Sequence, residues 1–124
     1  MHKKNFLLLA LVFWIVFITT LSLVSLNGLP KISPKNGDKY VHFIFYFILT
    51  LLLILNFVDK VGVKRSLVIS FVIAVFYGII IEILQGVLTE NRKPEFADAL
   101  VNSFGSLVAT IVVFLNRERL NFIK

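Results

Sequence analysis

The side chains in this sequence that could do chemistry fall in three short groups and one isolated cation. Asp38, Lys39, His42 and Tyr46 form the first, Glu82 and Gln85 the second, Asp98 and Asn102 the third, and Arg92 lies between the last two. Together they offer carboxylates and an imidazole for acid–base work, and two cations for a phosphoryl or acyl oxygen. They also offer amides and a phenol for hydrogen bonding. Their setting is unusual. Glu82 stands near the end of the apolar run Ser66–Val87, in Tyr77-Gly78-Ile79-Ile80-Ile81-Glu82-Ile83-Leu84-Gln85-Gly86. About 20 such residues cross a bilayer. An ionisable group at the centre of such a span costs ~2.5–3.5 kcal/mol or more unless it finds a partner or a polar cavity. The elements that surround Glu82 must therefore supply one.

Those elements are helices. The chain has 124 residues, of which 58% are hydrophobic and only 16% charged, with a mean hydropathy of +0.91. Soluble domains are nearer a quarter charged. The apolar excess lies in four blocks, Phe6–Leu26, Tyr40–Val58, Ser66–Leu88 and Ala97–Leu115. Each is about long enough to span a bilayer, where irregular segments and open sheet edges are not tolerated. The expected fold is all-α: one integral membrane domain over residues 1–124, a bundle of four transmembrane helices. There is no cysteine, so disulfides, thiolate metal sites and cysteine nucleophiles are excluded. The net charge of +6 fits juxtamembrane Lys and Arg meeting anionic membrane lipid, not nucleic acid.

The first block follows a short basic start with Lys3 and Lys4. It is longer than the apolar core of a secretory signal and no Ala-x-Ala-like site follows, so it reads as an uncleaved span that packs. Asn27–Lys39 is rich in turn signals, with Pro30, Pro34 and Asn36-Gly37. Asp38 is placed to cap the second span. Lys39, His42 and Tyr46 then share one helical face. Asp59–Arg65 reads as a tight loop of an antiparallel hairpin. In the third span Ser70, Ala74, Gly78, Glu82 and Gln85 form one stripe. In the fourth, Asp98, Asn102, Gly105, Ser106 and Ala109 do the same. Small residues admit a neighbouring helix and polar ones bond across it, so both stripes should face inward. The loop Thr89–Phe96 carries Arg92 and Pro94, which is placed to precede a helix.

Four spans put the N-terminus, the Asp59–Arg65 loop and the C-terminal tail on one side. That side holds Lys3, Lys4, Lys60, Lys64, Arg65, Arg117, Arg119 and Lys124, against Lys31, Lys35, Lys39, Arg92 and Lys93 on the other. The bias predicts cytoplasmic termini in a bacterial cytoplasmic membrane. All the polar groups then gather at the outer ends of three helices. Glu82, five residues before Val87, is expected about 8 Å below its end. The charges of Asp38, Lys39, Glu82, Arg92 and Asp98 nearly cancel, as a buried set requires.

The pattern Asp38-Lys39-x-x-His42-Phe43-x-x-Tyr46, then Glu82-x-x-Gln85, then Arg92 with Asp98-x-x-x-Asn102-x-x-Gly105, resembles the VanZ-like family of small membrane proteins. The resemblance covers roughly Leu29 to Val113. It departs from the family in one place: Lys93-Pro94-Glu95-Phe96-Ala97 separates Arg92 from Asp98, without the small polar residue the family carries there. What the resemblance implies is a cell-envelope protein linked to low-level resistance to teicoplanin, a lipid-tailed glycopeptide antibiotic. An older label of the family, an acyl-phosphate transferase, has no Gly-rich phosphate loop to support it in this chain.

Three functions stay open from the residues. In the first, the cluster binds a lipid head group, a lipid-linked envelope precursor or a lipoglycopeptide. Lys39 and Arg92 would then hold phosphate, and Glu82, Gln85, Asp98 and Asn102 would meet hydroxyls or amides. In the second, the protein is an enzyme on a lipid-linked substrate with Glu82 or His42 as acid–base group, although no nucleophile is fixed. In the third, the polar groups only join helices. A metal on His42, Glu82 and Asp98 is poorly supported by one histidine and no metal-ligand spacing. No cofactor is expected, and oligomeric state is not fixed by sequence.

Overall fold

The computed structural model describes residues 3–23, 37–88 and 96–118. Among these the chain is entirely helical: α1 over Lys3–Leu23, α2 over Gly37–Val61, α3 over Val63–Leu88 and α4 over Phe96–Leu115. Each helix is long and apolar enough to cross a membrane, over Lys4–Ser22, Tyr40–Val61, Val63–Leu84 and Asp98–Leu115. The four-helix membrane architecture expected from the apolar blocks is the one found.

One local expectation is corrected. The stretch Asp59–Arg65 is not a loop, because α2 and α3 run through it and break only at Gly62, whose φ is +87°. This is a left-handed helix stop, closed by the Gly62 amide donating to the Val58 carbonyl at 3.0 Å. The next helix starts at once, with the Ser66 amide on the Gly62 carbonyl at 3.0 Å. Charged side chains at the ends of both helices do not disturb the backbone ladder, so the turn needs a single glycine and no loop. The backbone of Asp38 lies in α2, and the cap expected of its side chain lies outside the described residues.

Three helices form the core. α2, α3 and α4 pack mutually, and α1 lies against α2 and α3. Contacts fix the directions. Ile54, Val58, Leu67 and Val113 make one apolar cluster, and Gly78 meets both Tyr46 and Asn102. The α2/α3 and α3/α4 pairs are therefore antiparallel, and α2 and α4 run parallel. Tyr46 and Gly78 stand equally far from Gly62 along the chain, as a hairpin folded at that residue requires.

Lipid gives helices no hydrophobic reason to associate, so close packing and hydrogen bonds must hold them. The inward stripes read from the sequence supply the packing: Ser70, Ala74, Asn102, Ser106 and Ala109 are all buried. The hydrogen bonds hold α1. Trp14 Nε1 donates to the Phe45 carbonyl at 2.9 Å, and Asn56 Nδ2 to the Leu7 carbonyl at 3.1 Å. The Tyr77 hydroxyl donates to the Ile15 carbonyl at 3.4 Å and shares a hydrogen bond with Thr19. The Trp14 ring also meets Phe45 edge-on, with centroids 5.8 Å apart. The first span is a packing helix, as its sequence suggests, tethered by its own Trp14 and Thr19 and by Asn56 and Tyr77 of its neighbours.

Candidate functional site

The site grows from one close approach. A Cβ at Gly78 of α3 would lie 3.2 Å from Tyr46 Cε2 and 3.3 Å from Asn102 Cβ. Three helices thus meet where α3 has no side chain. Tyr46 is further braced by the Tyr77 ring, whose centroid is 6.2 Å away.

One turn outward on each helix, about 5.4 Å along its axis, stand the ionisable groups. His42 precedes Tyr46 by four residues, Glu82 follows Gly78 by four, and Asp98 precedes Asn102 by four. Because α3 runs against the other two, all three steps point the same way. They point away from the Gly62 turn and toward the end of the bundle opposite Lys4 and Arg117. His42, Glu82 and Asp98 are buried, yet each keeps a little exposure, 8%, 6% and 8%. Tyr46 and Asn102 below them are at 1%. The exposure gradient gives the cluster a rim and a sealed floor.

Glu82 lies six residues before the end of α3 at Leu88, about 9 Å of rise. His42, Glu82 and Asp98 each take part in an interaction, which is what an ionisable group near a membrane boundary needs.

Of the residues singled out by sequence, the fold brings Tyr46 and Asn102 together at Gly78 and sets His42, Glu82 and Asp98 one turn beyond them on the three helices. The backbones of Asp38, Lys39 and Gln85 lie in α2 and α3, but their side chains, and Arg92 and Pro94 altogether, fall outside the described residues. Among the described residues no three of His, Cys, Asp and Glu stand together as a metal site. Glu82 also lies within electrostatic range of the Tyr46 phenol, which ties the rim to the floor. Sequence reasoning missed Tyr77, Trp14 and Asn56, polar-tipped residues inside apolar runs whose only signal is that lipid offers them no partner.

Chemically, the arrangement can bind a polar group entering from the end of the bundle. The rim offers two carboxyls and an imidazole, and the floor a phenol and a carboxamide. Comparison with protein-family models, curated proteins and solved structures finds no match to this chain.

Proposed function

We propose that this chain is a small VanZ-like protein of the bacterial cell envelope. It binds the polar head of a lipid-borne ligand, such as a lipid head group, an envelope precursor or a teicoplanin-type lipoglycopeptide, in the cluster at one end of its bundle. The termini and the Gly62 turn face the cytoplasm, so the cluster faces the outer leaflet. Lys39 and Arg92 hold phosphate where the ligand carries it.

One observation carries this reading. Among the described residues, the buried ionisable and amide side chains of three helices, His42, Glu82, Asp98 and Asn102, lie level with Gly78 or one turn beyond it, whereas the buried polar residues toward the Gly62 turn, Thr50, Ser66, Ser70 and Ser106, carry only hydroxyls. Helix association alone does not require this. The tethers of α1 show that single, scattered hydrogen bonds suffice to join helices in this bundle.

The test is Glu82→Gln in a Gram-positive host, with membrane abundance and surface binding of fluorescent teicoplanin measured together. Glutamine keeps size and hydrogen bonding and removes the charge. The expected result is normal abundance and loss of the wild-type effect on binding. Collapse of abundance would assign Glu82 to assembly of the bundle. A wild type without any effect on binding would separate this chain from teicoplanin.

A further inference from the structure

Tyr46 and Asn102 differ from most polar side chains of this bundle and share an unpaired state, among the described residues, with the buried hydroxyls of Ser70 and Ser106. Asn56 Nδ2 donates to the Leu52 carbonyl one turn back at 2.7 Å, and Asn116 Nδ2 to the Val112 carbonyl at 2.8 Å. Thr50, Ser103 and Thr110 likewise bond to the carbonyl four residues back. Asn102 does not. Neither its amide nitrogen nor its amide oxygen has a partner among the described residues, nor does the Tyr46 hydroxyl. Both residues are 99% buried, and they flank the same glycine. A buried donor or acceptor left unmade is costly, far more than the gain from making it. Burial of this kind persists in native proteins where a bound group completes it.

We infer that Tyr46 and Asn102 form a second tier of the site, a neutral floor that takes an uncharged group able both to donate and to accept. A hydroxyl or a carboxamide, as on an amino sugar, has that character. The inference deepens the binding function proposed above and rests on it. The carboxamide of Asn102 presents one donor face and one acceptor face, and the phenol adds a rotating hydroxyl. An anion would have to pass the carboxyls of Glu82 and Asp98 to reach them. A cation would find no charge at the floor. Gly78 lets α3 pack closely against both residues, since a Cβ there would crowd Tyr46 and Asn102 at 3.2–3.4 Å, so an entering group reaches them from the rim side and not across Gly78. The rim therefore selects and orients, and the floor reads an uncharged polar group beneath it.

The test uses the purified full-length chain in lipid nanodiscs, with N-acetylglucosamine and inorganic phosphate as probes and thermal unfolding as readout. Tyr46→Phe deletes one oxygen, and Asn102→Leu replaces the amide by a near-isosteric apolar group. Removing an unpaired buried polar group relieves its desolvation penalty, so each variant is expected to raise Tm by a few degrees. In wild type N-acetylglucosamine raises Tm more than phosphate does, and both variants lose that shift. Helix-joining residues would behave in the opposite way: Tyr46→Phe would lower Tm and leave the sugar shift intact, which overturns the proposal. So would a wild type that N-acetylglucosamine does not stabilise, or one that phosphate stabilises more. Should Asn102→Leu fail to fold, Tyr46→Phe decides alone.

The two proposals fail separately. Teicoplanin binding that depends on Glu82 but survives Tyr46→Phe removes the floor and keeps the function. A sugar shift that depends on Tyr46, without any teicoplanin effect, keeps the floor and removes that ligand.

Discussion

Gly105 of α4 lies directly against the backbone of Phe43 in α2. A Cβ at 105 would stand 2.5 Å from the Phe43 carbonyl oxygen and 3.2 Å from its carbon. No side-chain rotation can relieve that contact, because the obstacle is main chain. Gly105→Ala should therefore push α4 off α2, at a cost on the order of 1–3 kcal/mol for overpacking. The displaced helix carries Asp98 and Asn102 with it. Tm of the purified chain should fall, and any ligand response of the site should fall with it. An unchanged Tm would show that the two helices are not held at this distance.

Gly62 tests the opposite kind of glycine. A Cβ there meets nothing within 4 Å, and its φ of +87° is the only constraint. Gly62→Ala should cost about 1–2 kcal/mol, the penalty of the left-handed region for an L-residue. Gly62→Asn should cost less, since asparagine tolerates that region better. Thermal unfolding of the two variants, side by side, checks the order.

The tethers of α1 can be followed through Trp14, the only tryptophan in the chain. Its indole N–H is bonded to Phe45 and its ring packs on Phe17 and Phe45. Tyr77→Phe removes the hydroxyl that holds Ile15 and Thr19. Asn56→Leu removes the bond to Leu7. Interhelical hydrogen bonds of this type average about 0.6 kcal/mol and reach about 1.7. The double variant should leave α2, α3 and α4 assembled while loosening α1. Steady-state fluorescence anisotropy of Trp14 should drop; an unchanged value would mean that shape alone holds the helix.

Orientation is open to a clean test because the chain has no cysteine. Lys64 is exposed beside the Gly62 turn and Tyr40 is exposed at the other end of α2. With cytoplasmic termini, Tyr40→Cys in intact cells should react with a membrane-impermeant thiol reagent, and Lys64→Cys only after lysis. The reverse pattern would turn the polar cluster toward the cytoplasm and withdraw any ligand that arrives from outside.

Much of the architecture was legible in the residues. Four apolar blocks became four helices because a bilayer leaves few alternatives. The stripes through Ser70, Ala74 and Gly78, and through Asn102, Gly105 and Ser106, announced the buried faces because helical spacing puts them on one side. The placing of His42, Glu82 and Asp98 at one end of the bundle followed from alternating helix directions. Other features were not legible. Residues Asp59–Arg65 look like a loop because they are charged, but charge at a helix end says nothing about its backbone, and one glycine makes the turn. That Asn102 fails to bond its own helix, where Asn56 and Asn116 succeed, shows only where Asn102 packs against Gly78 across the interface. No local pattern carries that information.

The single-residue turn at Gly62 also limits how the sequence can drift. With no slack between α2 and α3, the number of residues from Gly62 to His42 and from Gly62 to Glu82 becomes a fixed ruler. One residue gained or lost on either arm would rotate everything beyond it by about 100° and slide it about 1.5 Å. His42 or Glu82 would then face lipid. Substitutions along the lipid-facing surface are free to accumulate, but insertions and deletions between residues 42 and 82 are not. Length variation in relatives of this chain should therefore gather outside that segment, at the chain ends and in the connections flanking α2 and α4.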